Sequence, residues 1–459
     1  MPVMQQSNVE RARVIPRVGH VRAGFAGLEL VNLLQRDPVA FFSRLAEQGD
    51  LVTCALAGQP FAQVTHPEHI QQVLVEKHRA FRKSQRVRRV LSQWSGDGLA
   101  LIDGERWVRV RRLVGPAFQS QLGPIHAAII LRRAREMVSR AKVSPSFDAS
   151  REVSRLTFAV AAEAMFGTEI DTHLDEFIGH VGNLNECAIR ELNSLVWLPK
   201  WAPTPLKRRV RESAAYLERV VFGFIASARR QRPEHPTLLS VLLDSRDEDG
   251  SRLTDRELYD ASVNVLLGAH ETTAVSLIWS LYCLSEHPEV QAAARAELLC
   301  VIGSGEVGPE HLSRLSLIEH VVKEAIRLYP PIYAIPREVA EPVTIGGVAL
   351  GAGTYVTIVP YITQRDARWF DGPEVFRPAR FVRESEIPKG AYLPFGLGPR
   401  ACIGRSFALL EAVGTLAVLL REFSLHPSDP GSPVELQAQI SLHPKGGLSL
   451  VLQAPERRS

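Results

Sequence analysis

The sequence predicts a mainly α-helical protein with small β-sheets. Three observations carry this reading. Apolar residues recur at helical spacing across residues 105–330. One helix in that stretch runs for about 31 residues at ~1.5 Å each and is apolar on nearly all sides at its centre. Short alternating segments punctuated by Gly and Pro lie outside it, at 50–75, 340–360 and 432–453.

Each element has a local cause. Residues 50–75 read as two short strands and then a helix. The long helix starts at Thr254 and Glu257, a T-x-x-E capping box, and stops at Pro288. Ser316 and Glu319 offer a second capping box, ahead of a helix that Pro330 stops. Residues 340–360 alternate and turn like a small hairpin. Residues 432–453 give two more short strands, interrupted at "HPKGG". After Gly404, the spacing of Leu409, Val413, Leu416 and Leu420 marks an amphipathic helix.

The 459 residues are 45% hydrophobic and 23% charged, ordinary values for a globular protein with a large core. The net charge of +4 is too mild to argue for nucleic acid. Basic clusters at 82–89, 106–112 and 207–211 read either as solvated faces or as docking surfaces for an acidic partner. The five cysteines include no C-x-x-C pair, which leaves zinc ribbons and thioredoxin-type centres without support. Four of them, Cys54, Cys187, Cys283 and Cys300, sit in apolar or helical stretches and read as core thiols. The N-terminus lacks the apolar core of a signal peptide, and no uncharged run approaches ~20 apolar residues. The expectation is a soluble cytoplasmic protein with no membrane anchor.

Three stretches can carry chemistry. In the long helix, "GAHETT" places Gly268 and Ala269 before His270, Glu271 and Thr272. The Thr272 hydroxyl can compete for the Gly268 carbonyl and open the helix locally. This is either a ligand notch with a proton relay beside it or a polar surface with Glu271 exposed. Glu324 and Arg327 share one helix face, as an exposed ion pair or, with Arg380, as a buried three-member network. In "LPFGLGPRACIGRS" (393–406), Cys402 stands at a helix start among Gly396, Gly398 and Gly404, two residues after Arg400. A helix dipole and a nearby cation favour a thiolate there. Such a thiolate is a nucleophile or a metal ligand, and a lone thiolate can be the axial ligand of haem iron.

"FGLGPRACIG" resembles the cysteine-ligand loop of the cytochrome P450 haem-thiolate monooxygenases, with Phe395, Gly396, Gly398, Arg400, Cys402 and Gly404 in place. "GAHETT" is similar to that family's oxygen-activation stretch, "EAIR" to its E-x-x-R, and "PARF" to its later partner arginine. "RWVRVRR" matches the early W-x-x-x-R through Trp107 and Arg111. The one departure is the order Gly268–Ala269, where the family usually has alanine and then glycine. The resemblance implies a single large domain over 31–459, with an N-terminal extension at 1–30 and no fused reductase. It implies haem b with Cys402 as the axial thiolate. Arg400, Trp107, Arg111 and Arg337 would hold the haem propionates. Glu271 and Thr272 would deliver protons during dioxygen activation. Glu324, Arg327 and Arg380 would brace the cysteine loop. Electrons would come ultimately from NAD(P)H, through a ferredoxin or flavodoxin and its reductase. Arg109 and Arg112 could receive such an acidic carrier.

By analogy, the substrate would meet segments 85–103 and 175–215, the helix face near Leu267, and residues 330–336, with Trp94, Trp197, Trp201 and Tyr333 as large elements. These segments are mostly aliphatic. They imply an apolar substrate such as a terpenoid, a fatty acyl chain, a polyketide or a steroid-like skeleton. Three other readings compete with monooxygenation. One is a peroxide-using or hydroperoxide-rearranging haem-thiolate enzyme, and another is a non-catalytic haem protein that binds ligands. A helical scaffold without haem would leave Cys402 and its glycines unexplained.

Overall fold

The computed structural model describes residues 16–21, 27–118, 123–143, 146–167, 174–194, 198–231 and 235–455. Strand β1 (Val18–His20) and helices α1 (Leu28–Arg36) and α2 (Pro38–Ala46) lead into β2 (Leu51–Leu56) and β3 (Gln59–Val64). Ala57 and Gly58 turn this hairpin at positive φ, 47° and 80°. Then α3 (Pro67–Gln71) runs into one π-helical turn at Gln72–Glu76. The strand–strand–helix expectation for 50–75 is met.

Next come β4 (Phe81–Arg82), α4 (Gln85–Ser95), α5 (Gly104–Val114), α6 (Gly123–Ala141) and β5 (Phe147–Asp148). The helical middle continues through α7 (Ala149–Phe166), α8 (Leu174–Asn193), α9 (Pro205–Arg230), α10 (Leu238–Asp244) and α11 (Asp255–Glu286). Beyond it lie α12 (Pro288–Ile302), α13 (Pro309–Leu312) and α14 (Ser316–Leu328). Strands β6 (Ile335–Val339), β7 (Val343–Ile345), β8 (Val348–Leu350) and β9 (Tyr355–Ile358) precede α15 (Pro360–Thr363). A long irregular stretch reaches α16 (Arg405–Glu422), and β10 (Ser424–Pro427), β11 (Leu436–Ala438), β12 (Leu442–Pro444) and β13 (Ser449–Gln453) finish the chain.

The largest sheet has the strand order β1-β2-β3-β9-β6-β4. β1 lies within residues 1–30 and pairs in parallel with β2, so part of that segment packs on the domain. The C-terminal stretch holds three strands where the sequence suggests two. β11 and β12 pair with each other, and Gly446 and Gly447, both at positive φ, release the chain so that β13 pairs with β10 and β5.

Helix α11 is the axis of the molecule. Both halves of the Thr254–Glu257 capping box are formed. One side of α11 faces a core shared with α6, α7, α14 and α16, and the other faces a core shared with α4, α8, α9 and α10. This is why the sequence of α11 is apolar all round. Trp279 is fully buried, stacks on Tyr329 at 4.0 Å and donates Nε1–H to the Leu442 carbonyl at 2.7 Å. The helix runs unbroken through Gly268–Thr272, so the expected local opening does not interrupt it.

Two local expectations are corrected. The Ser316–Glu319 capping box does not form. Ser316 Oγ donates to Glu297 on α12, whose carboxylate also accepts the Leu317 and Ile318 N–H groups, while Glu319 pairs with Lys323. A neighbouring helix therefore caps α14. Of the four cysteines read as core thiols, Cys54, Cys187 and Cys283 are buried, but Cys300 is exposed on α12. Among the described residues, no helix is long and apolar enough to cross a membrane.

Candidate active site

Gly396 (φ 70°) and Gly398 (φ 73°) fold the 393–404 segment into a tight loop. Cys402 donates its N–H to the Phe395 carbonyl at 2.8 Å. A Cβ at Gly398 would sit 2.1 Å from the Leu74 carbonyl oxygen, so this loop lies directly against the π turn. Gly404 caps α16, and Cys402 stands two residues before it.

Cys402 lines a cavity of about 440 Å³. Its exposed surface belongs to that cavity. Gly268, Ala269, Thr272 and Thr273 of α11 line the same space, as do Leu99, Ala100, Val265, Ile332 and Ile335. Thr272 Oγ1 donates to the Gly268 carbonyl at 2.7 Å, the back-bond its spacing predicts. The structure thus brings together the cysteine loop and the notch, 130 residues apart in sequence.

The electrostatics differ from the expectation. Burial pushes the Cys402 thiol up, and the Gly404 N–H and the Arg111 charge only partly offset this. The cation acting on the thiol is Arg111, not Arg400. Arg400 is turned away, donating to the Ile102 carbonyl at 2.8 Å and to Asp103 at 2.6 Å, with its guanidinium 4.5 Å over the Trp107 ring. A metal ion bound at the sulfur would supply the positive charge that favours the thiolate.

One edge of the cavity is crowded with cations. Arg337 is buried, and burial and the Arg400 charge pull it down to about 10. Lys83 is held well below its ordinary range by burial and by Arg337 and Arg400. Among the described residues, its ammonium has no carboxylate within ion-pair distance. Asp103 offsets both groups but is already bonded to Arg400. Positive charge in such excess fits a multiply anionic group, as the two propionates of a haem would be. Lys83 falls in a basic cluster that the sequence reads as a solvated face or a docking surface. The structure turns it inward.

Glu271 does not line this cavity. Its carboxylate faces the β11–β12 hairpin, where it accepts Ser441 Oγ–H at 2.5 Å, and α8, where it accepts Asn185 Nδ2–H at 2.6 Å. Burial raises this carboxyl, but hydrogen bonds to His443 and Ser441 outweigh it and hold the group below its ordinary range. His270 points the other way, buried against Thr157 Oγ1 at 3.0 Å.

Glu324, Arg327 and Arg380 do form a buried network. Glu324 and Arg327 are both fully buried, with Arg327 Nε 2.7 Å and Arg380 Nε 2.8 Å from the Glu324 carboxylate. The sequence offers no sign of Gln364, which joins this network to the cysteine loop. It donates to the Ile326 and Arg327 carbonyls and accepts the Leu393 N–H.

Arg109 and Arg112, the expected carrier contacts, are already paired with acidic neighbours. Arg109 is bonded to Asp247 and to Glu257, and Arg112 to Asp247 and Glu248. Of the aromatic residues expected around a substrate, Trp94 on α4 is buried in the core, Trp201 is 78% exposed, and Tyr333 bonds the Gln439 carbonyl. None of the three lines the cavity, and Trp197 lies outside the described residues.

A sequence model of the family described as Cytochrome P450 matches residues 25–451. Cyclooctatin synthase of Streptomyces melanosporofaciens is 32% identical, with 89% of this chain and 90% of that protein covered. Pentalenene oxygenase of Streptomyces avermitilis is 30% identical, with 88% and 90% covered. Cyclooctat-9-en-7-ol 5-monooxygenase of Streptomyces melanosporofaciens is also 30% identical, with 90% and 88% covered. Taken with the loop, the notch and the cationic rim, these matches settle the family: the chain belongs to the cytochrome P450 family and is a monooxygenase with a cysteine-ligated haem.

Proposed function

We propose that this protein hydroxylates a cyclic terpenoid skeleton, with Cys402 as the iron ligand. The observation that carries this reading is one apolar cavity lined by Cys402 and by the Gly268–Thr272 notch. The relatives named for cyclooctatin, cyclooctat-9-en-7-ol and pentalenene support the terpenoid class.

The roles follow from placement. Phe395, Gly396 and Gly404 shape the loop that presents the sulfur. Trp107, Arg111, Arg337, Arg400 and Lys83 hold the haem propionates. Gly268 and Ala269 keep the α11 wall low enough for a small ligand, and Thr272 presents a hydroxyl to the cavity. Glu271 is the proton source behind it. Glu324, Arg327 and Arg380, through Gln364, hold the cysteine loop in register. When bound, the haem supplies the dioxygen chemistry. The aliphatic walls exclude water and orient the substrate by shape alone.

Residues 31–459 act as one cytoplasmic domain, with β1 added to its sheet. Electrons arrive from NAD(P)H through a separate ferredoxin or flavodoxin and its reductase. These carriers dock elsewhere than on Arg109 and Arg112, whose charge is already taken by acidic neighbours. The test is a panel of cyclic terpenes, fatty acids, polyketides and steroids, screened by the haem spin-state shift. Turnover with labelled dioxygen follows. The reading predicts that a cyclic terpene shifts the spectrum and gains one labelled oxygen atom. Binding confined to fatty acids or steroids would contradict the substrate class.

A further inference from the structure

Glu271 poses a problem that the cavity does not solve. Its carboxylate is turned away from the space it would serve, yet it is not simply exposed. Its Oε1 accepts the Ser441 hydroxyl at 2.5 Å, and the Ser441 oxygen lies 2.9 Å from His443 Nε2. A carboxylate only accepts, so the serine must donate to it. The serine oxygen must then accept from the histidine, and Nε2 must carry the proton. The hydrogen bonds therefore all point inward, from His443 to Glu271. Ser441 is 1% exposed, whereas the His443 side chain is 27% exposed and reaches water. The titratable groups facing Glu271 are His443 on β12 and His270 on α11. α8 contributes the neutral Asn185, and His270 itself is bonded to Thr157 on α7.

We propose that Ser441 and His443 are the proton feed of Glu271, a role that rests on the monooxygenase reading above. His443 takes a proton from water at Nδ1 and, as the imidazolium, gives its Nε2 proton to Ser441 Oγ as the hydroxyl proton of Ser441 passes to Glu271 Oε1. The Glu271 side chain turns about its own χ bonds and gives that proton up beside Thr272, returning to carboxylate. Exchange with water then returns the neutral His443 from the Nδ1–H to the Nε2–H tautomer, with no net gain of protons. No electrons move in the relay. Each cycle carries one proton from solvent to the cavity, where the two-electron reduction of dioxygen consumes it. Asn185 holds the second carboxylate oxygen and is a positioning residue only.

The test compares His443→Ala, Ser441→Ala and Asn185→Ala in the haem-loaded protein with its electron carriers. Product formed per NAD(P)H consumed should fall on the order of tenfold to a hundredfold in the first two, with electrons diverted to hydrogen peroxide. Their solvent isotope effect should rise, while Asn185→Ala keeps the wild-type isotope effect. Independently of turnover, infrared titration should show the Glu271 carboxyl protonating at higher pH in His443→Ala, because a hydrogen bond that lowers it is gone. Wild-type yield and isotope effect in His443→Ala would overturn the proposal. So would the same loss in all three variants, which would make the hairpin a mere support. All variants should keep the red-shifted band of the reduced, carbon monoxide-bound protein. If the wild-type protein itself lacked that band, the haem reading would fall, and this proposal with it.

Discussion

The Gln364 side chain accepts the Leu393 backbone N–H at 2.8 Å, tying the buried end of α14 to the first residues of the cysteine loop. Gln364 is fully buried, and its amide also serves the Ile326 and Arg327 carbonyls, at 3.1 and 3.0 Å. Gln364→Ala strands all three groups. It should cost roughly 2–4 kcal/mol in denaturant unfolding, at 1–3 kcal/mol per unsatisfied buried group with partial relaxation. Glu324→Gln should cost about 3–5 kcal/mol, because Arg327 is left charged and buried. Both variants should lose haem faster than wild type. A Gln364→Ala protein with unchanged midpoint and haem retention would remove Gln364 from the account.

The two glycines that flank the cysteine should behave differently. Gly398 is strained for any other residue by its φ of 73° and by the 2.1 Å approach to Leu74 O. Gly398→Ala should destabilise even the haem-free protein by about 1–3 kcal/mol. At Gly404 an added Cβ would meet only Phe118 at 3.7 Å and Cys402 Sγ at 3.9 Å. Gly404→Ala should leave haem-free stability nearly unchanged and impair haem uptake. Thermal unfolding of the haem-free proteins and haem titration check this pair. Equal effects at both positions would contradict it.

Lys83 gives a test of opposite signs. Without haem its ammonium adds to the repulsion around Arg337 and Arg400. Lys83→Met should therefore raise the melting temperature of the haem-free protein. In the loaded protein the same change removes a charge-assisted bond to a propionate, and haem affinity should fall by about 1.5–3 kcal/mol, some ten- to a hundredfold. Lower stability in both states would mean that Lys83 is a packing residue.

The pH dependence has a defined sign. Burial lowers His270 from 6.5 to about 4. The folded protein thus keeps it neutral where the unfolded chain protonates it. Its contribution is intact above pH 6.5, is lost as the pH falls towards 4, and amounts there to roughly 3 kcal/mol at 1.36 kcal/mol per unit. His270→Gln should flatten the stability profile between pH 4 and 6.5. His66, His69, His126 and His320 are also lowered by burial and keep the remaining slope in the same direction. A steeper profile in His270→Gln would contradict the assignment.

What could be read from sequence was local. Thr254, Glu257 and Pro288 delimit α11 because caps and stops act within a few residues. Cys402 and its glycines were legible because they stand in one short loop. Ser316 misled, since its hydroxyl goes to Glu297 on another helix. Lys83, Gln364, Ser441 and His443 left no local pattern. Ser441 and His443 are neighbours, but the groups that give these four residues their roles lie from about twenty to more than three hundred residues away, and only the fold brings them together. Arg109 and Arg112 read as available charge because the acids that neutralise them stand more than 130 residues further on.

The most direct test of the central claim is the absorbance spectrum of the dithionite-reduced protein under carbon monoxide, taken beside Cys402→Ala. The account predicts a strongly red-shifted Soret band in the wild-type protein and its loss in Cys402→Ala. A folded protein without haem, or a band indifferent to Cys402, would contradict it.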